Sequence, residues 1–167
     1  MSNLSFEESK SAGAHRLLAR MAGNWQGVAK TWFEPGKLAD ESPIAGSVRL
    51  ILDGRFAVHE YSGSMKGKSL TGMATFGSFL SEGKFQMAWV DSFHMGTGIL
   101  MSESTATPCE NSFSVLGHYS DPSGGPPWGW RTQVDIVGPD ELVISHFNVF
   151  PQGEEALAVE IRYARTG

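Results

Sequence analysis

"PWGWRTQVDIVG", Pro127 to Gly138, alternates without a break. Trp128, Trp130, Thr132, Val134 and Ile136 fall on one face, and Gly129, Arg131, Gln133 and Asp135 on the other. Side chains along a strand point alternately to opposite sides, so this is a strand with one dry and one wet face. "EEALAVEIRYAR" (154–165) repeats the pattern, with Leu157, Val159, Ile161 and Tyr163 opposite Ala158, Glu160, Arg162 and Ala164. "KFQMAWVDSF" (84–93) groups Phe85, Met87, Trp89, Asp91 and Phe93, and "IAGSVRLILD" (44–53) groups Ile44, Val48, Leu50 and Leu52.

Turn signals such as "SEGK", "HMGTG", "TPCEN", "DPSGGPP" and "GPDE" separate these runs. They mark off ten strands, at about 24–33, 44–53, 55–64, 68–79, 84–93, 96–105, 111–120, 127–137, 141–150 and 154–165. Most connections are short, so neighbours pair antiparallel. The exception is a loop of about ten residues after the first strand, "EPGKLADESP". One helix is expected over about 12–22, where Ala14, Leu17, Leu18 and Met21 are at helical spacing, with Ser11 as N-cap and Gly23 as the stop. Ten half-apolar strands bury their dry faces together only by closing. The expected fold is therefore all-β: a closed antiparallel up-and-down barrel of about ten strands with one short N-terminal helix. Residues 1–10 are read as a tail and 11–167 as a single barrel domain.

The 167 residues are 41% hydrophobic, which suits a globular chain, and the net charge of −5 argues against nucleic acid as a partner. No run approaches the ~18 apolar residues of a membrane helix. The N-terminus has no apolar export core, and the single cysteine, Cys109, cannot form an internal disulfide. Both fit a cytoplasmic location.

"AGNWQG" places Gly23 two residues before Trp25, at the start of the first strand. This G-x-W spacing resembles the signature of lipocalins and related calycin barrels. In those barrels the tryptophan closes the floor, and a basic residue of the last strand packs across its ring. Arg165 is the matching residue here, sharing a face with Tyr163. Taken with "LDGRFAVHEYSG", "GMATFGS", "AWVDSFHMGTGILMSES" and "EIRYARTG", the chain resembles the bacterial family catalogued as domain of unknown function 1579. That resemblance implies a lipocalin-like barrel, distantly like nitrobindin, and no agreed activity. "HYSDPSGGPPWGWR" is richer in Trp and Pro than the family pattern.

Polar groups on dry faces are the informative residues. Asp91 shares parity with Trp89, and Glu60 with Phe56 and Val58, so both carboxylates are expected inside, with Arg55, Tyr61, His59, His146, Thr97 or Ser102 as partners. Trp89, Met101, Trp128 and Trp130 are expected to line the lumen, together with His146. Phe147 and Ile144 have opposite parity, so one must face out. His15 is expected in solvent and His94 at a rim turn without a catalytic role. No compact His/Cys ligand pair, nucleophile elbow or phosphate loop occurs, so no metal site is expected.

The preferred reading is a binder of a small, largely apolar molecule in the lumen, oriented by Glu60 and Asp91, with no cofactor. Three alternatives stand beside it. One is an enzyme with a Glu60/Asp91 acid–base site. Another is a haem barrel through His146, because the opening "LLARMAGNWQGVAKTW" also resembles small haem-binding barrels. The last is a structural module that homodimerises, for which a surface Trp32 would speak.

Overall fold

A computed structural model describes residues 4–104 and 108–167. The helices are α1 (Phe6–Ala12) and α2 (Ala14–Arg20). The strands are β1 (Gly23–Glu34), β2 (Lys37–Ile51), β3 (Phe56–Met65), β4 (Lys68–Phe79), β5 (Lys84–Asp91), β6 (Leu100–Ser104), β7 (Ser112–Tyr119), β8 (Trp128–Gly138), β9 (Glu141–Val149) and β10 (Glu155–Arg165). Every strand pairs antiparallel with its chain neighbours, and β1 closes the barrel against β10. The end of the expected sixth strand, at 105, and the start of the turn at 107 lie outside the described residues, as do 1–3 of the expected tail.

Three boundaries depart from the expected ones. "EPGKLADESP" is not a loop: β1 and β2 form a hairpin that turns at Pro35–Gly36, and Gly36 takes φ +72°. Pro43 is tolerated inside β2 because pairing with β3 begins only at Ile44, so residues 37–43 have a single partner strand. The single expected helix is two. Ser5, not Ser11, is the N-cap of the first, in a reciprocal cap with Glu8. Gly13 leaves the helical conformation at φ −118°, and His15 folds back onto Ser9 (Nδ1 to Oγ, 2.8 Å). His15 is therefore buried, not solvated.

β6 begins four residues later than expected, because Ser92–Ile99 form a loop over one end of the barrel. That end is the mouth; the helices cover the other. On the helix side the lumen is solid. Phe85 and Phe113 stack at 4.1 Å with Phe76 edge-on, in one cluster with Leu18, Met21, Val134 and Leu142.

Trp25 and Arg165 seal the helix end. The guanidinium lies 4.3 Å above the Trp25 ring, and Trp25 Nε1–H donates to Met21 O at 2.9 Å. Arg165 also donates to Ala22 O (2.6 Å) and Arg20 O (3.2 Å), carbonyls left over at the end of α2, and to Pro139 O (2.8 Å) in the β8–β9 turn. Gly23 makes this possible. Its φ is +144°, and a Cβ there would lie 2.1 Å from Arg165 Nη1. The G-x-W spacing thus serves the arginine as much as the tryptophan.

Candidate functional site

Cross-strand partners share a face, so the ladder assigns each side chain to the lumen or the surface. Trp89 pairs with Leu100 and Met87 with Ser102, which puts Leu100 and Ser102 inside. Met101 points out and is 63% exposed, against the lumenal position expected for it. On β3 the inward set is Ala57, His59 and Tyr61, which pair with Phe76, Ala74 and Gly72. Glu60 is consequently on the outer wall, 4.0 Å from Arg49, and is not near Asp91. Phe56 also faces outward, laid over Gly77, where an added Cβ would come within 2.9 Å of its ring. Phe147 faces out beneath Arg131 (4.2 Å), leaving Ile144 and His146 inside. Trp128 is half-buried at the rim against Phe150 (4.6 Å).

The remaining expected residues meet in the mouth half. Trp89 and Trp130 are nearly parallel, 5.6 Å apart. His146 is near-parallel to both, at 5.5 and 5.3 Å. His94 leans over the two indoles at 5.2 and 5.5 Å. Its presence was not expected from its turn position. The signal is "DSFH": Asp91 ends β5 and accepts the backbone N–H groups of Phe93 (3.0 Å) and His94, a side-chain-stabilised turn that returns His94 to the carboxylate. His94 Nδ1 then bonds Asp91 Oδ2.

The polar groups form a chain. Trp89 Nε1–H donates to the Tyr61 hydroxyl (2.9 Å), which donates to Asp91 Oδ2 (3.5 Å). Gly72 sits between Tyr61 and Asp91 in the ladder, and a Cβ there would lie 2.1 Å from the Tyr61 oxygen. His59 Nε2 bonds the Tyr163 hydroxyl at 3.0 Å, and Thr132 Oγ1 bonds His146 Nδ1 at 2.8 Å. Burial raises the Asp91 carboxyl, but hydrogen bonds from His94 and from the Phe93 and His94 backbone outweigh it, and the net shift is downward. Burial pushes the Tyr61 and Tyr163 hydroxyls up.

Burial also holds His59 down to about 4 and His146 to about 3, the latter with help from His94 and His59. The unfolded chain binds these protons from the ordinary 6.5 downward, while the folded chain refuses them to about 4 and 3. Folding stability therefore falls on acidification through this window, and it is fully present above it. Urea midpoints are expected to drop steadily from pH 7 to pH 4. H146N, which can keep an acceptor for Thr132, should flatten that slope. An unchanged slope in H146N would show that His146 does not carry the effect.

Two spaces adjoin these groups. A cavity of about 210 Å³ opens at the mouth, walled by Trp89, Leu100 and Trp130, with His94, Met95, Tyr119 and Asn148 around it. A second void, of about 20 Å³, lies beside Tyr61, Met65, His94 and His146 in the same half of the barrel. Trp130 Nε1 and Ser102 Oγ are buried with no hydrogen-bond partner. Among the described residues no group of three or more His, Cys, Asp and Glu is placed to hold a metal ion.

Solved structures share this architecture. The S-type phycobiliprotein lyase CPES from Guillardia theta superposes with a TM-score of 0.61 at 12% identity, over 98% of this chain and 99% of that one. Rv2717c from M. tuberculosis gives 0.60 at 11%, over 91% and 96%. No curated protein sequence matches the chain. Residues 10–165 match the model of the family described as "Protein of unknown function (DUF1579)", and the chain belongs to that family.

Proposed function

We propose that this barrel binds a small, planar, largely apolar molecule in its mouth cavity. The observation that carries the reading is a cavity of about 210 Å³ at the mouth, walled by the Trp89 and Trp130 indoles and Leu100, with the Asn148 amide and His94 beside them. An apolar cavity of about 150 Å³ in another protein admits benzene, so this one suits one or two fused rings. The deeper lumen is filled, so the ligand sits at the mouth and does not run down the barrel axis. The likeness to the phycobiliprotein lyase, at 12% identity, concerns the fold and adds no ligand.

The other readings draw less support. Glu60 lies on the outer wall, so a Glu60/Asp91 acid–base pair has no common site. His146 does not suit haem. Its ring is packed against both indoles, and the adjoining void of about 20 Å³ has room for one water and not for a porphyrin. Trp32 is half-buried and does not favour homodimerisation. A cytoplasmic setting remains our proposal, resting on the lone exposed thiol of Cys109. No helix among the described residues is long and apolar enough to cross a membrane.

Naphthalene tests the cavity directly. Titrated into the protein it should quench tryptophan fluorescence, because Trp89 and Trp130 form the wall. About ten heavy atoms correspond to a Kd on the order of 10–100 μM. M95W, which puts an indole at the mouth, should weaken binding at least about tenfold. Undiminished binding by M95W would place the site elsewhere.

A further inference from the structure

The mouth cavity has more polar definition than a purely apolar ligand uses. Two of its side chains keep an unspent hydrogen-bonding position. The Tyr119 hydroxyl donates to Asn148 Oδ1 at 2.7 Å, so Asn148 has its amide N–H groups left over. These can only donate.

The second is His94. Asp91 is held as a carboxylate by the Tyr61 hydroxyl and two backbone N–H groups, and it faces His94 Nδ1. A carboxylate only accepts, so the neutral imidazole carries its proton on Nδ1 and presents Nε2 as a bare acceptor. A donor amide and an acceptor nitrogen therefore adjoin one small cavity. Indole and leucine walls supply the contact area for a flat ring.

We propose that the cavity selects a planar ring system with a carbonyl next to an N–H, the edge of a cyclic amide (a lactam). The carbonyl oxygen accepts from the Asn148 amide, and the ring N–H donates to His94 Nε2. This deepens the mouth-cavity reading and rests on it. The two can be told apart, because a ring without polar atoms tests the cavity alone. A site built around hydrogen bonds rejects analogues that leave its buried groups unpaired.

Three probes decide: 2-quinolone, N-methyl-2-quinolone and naphthalene, each titrated by tryptophan fluorescence against the full chain at neutral pH. 2-Quinolone should bind at least about tenfold more tightly than either of the others, the factor expected for one or two satisfied hydrogen bonds. N148L keeps a side chain of similar size and removes the amide. It should cost 2-quinolone about tenfold and naphthalene far less, since naphthalene makes no bond to the amide, and the retained naphthalene binding also reports that the variant is folded. If N-methyl-2-quinolone binds as tightly as 2-quinolone, His94 does not accept from the ligand and the proposal is overturned. If naphthalene binds as tightly as 2-quinolone, the polar selection is overturned and the binding site survives. If none of the three binds, both fall.

Discussion

Trp25→Ala is expected to destabilise the fold by about 3–5 kcal/mol, the usual cost of emptying a large buried aromatic site. For a chain of this length that lowers the melting temperature by roughly 6–20 °C. Trp25 is 2% exposed, and three separate things depend on it. Its Nε1–H satisfies Met21 O at the end of α2, its ring carries the Arg165 guanidinium, and it leans on Tyr163, which in turn holds His59. Arg165→Met should cost less, about 1–3 kcal/mol, because a long apolar chain can still cover the indole while the bonds to Arg20, Ala22 and Pro139 are lost. The two substitutions touch one another, so the double variant should cost less than their sum. A Trp25→Ala protein within 1 kcal/mol of the parent in urea denaturation would show that the helix end is held shut by something else.

The barrel could be read from the sequence because its clearest strands carry charge on one face only. In β8 the residues Arg131, Gln133 and Asp135 leave no doubt which side is wet, and in β10 Glu160 and Arg162 do the same. β3 lacks that contrast. Its outer face carries Phe56 and Val58, its inner face the smaller Ala57 and the polar His59 and Tyr61, so hydrophobicity alone points the wrong way. What reverses it is Gly77, a bare spot on β4 that Phe56 covers from outside, a pairing visible only once the register is known. A parity error of one residue moves a whole strand's side chains to the other face, and it carried Glu60 with it. Met101 was misplaced by the same step in β6, where Leu100 and Ser102 are the inner pair. Trp89, Asp91, Trp130 and His146 were legible because they share strands with unmistakable dry faces. His94, Tyr119 and Asn148 were not. Their significance comes from the closure of the barrel, which brings residues 94, 119, 130 and 148 around one cavity.

Substitutions at Asp91 separate its two roles, holding the loop and setting the histidine. Asp91→Ala removes the acceptor for the Phe93 and His94 N–H groups, for Tyr61 and for His94 Nδ1 together, and should destabilise by about 2–4 kcal/mol. Asp91→Asn should cost less, within about 2 kcal/mol, because its side-chain oxygen can keep the two backbone N–H groups. That choice leaves the amide nitrogen in the place of Oδ2, facing His94 Nδ1. Donor then meets donor unless the imidazole moves its proton to Nε2. The histidine ring stays in position with its hydrogen-bonding sense inverted. Nitrogen-15 shifts of His94 should therefore report the Nδ1-protonated tautomer in the parent and the Nε2-protonated one in Asp91→Asn. The consequence for binding is specific. An Nε2–H pointing at the N–H of 2-quinolone repels it, so the variant should lose the parent's preference for that probe over naphthalene while still binding naphthalene. A variant that shifts the tautomer but keeps the preference would separate His94 from ligand recognition. One that keeps the tautomer would show that something other than Asp91 orients the ring.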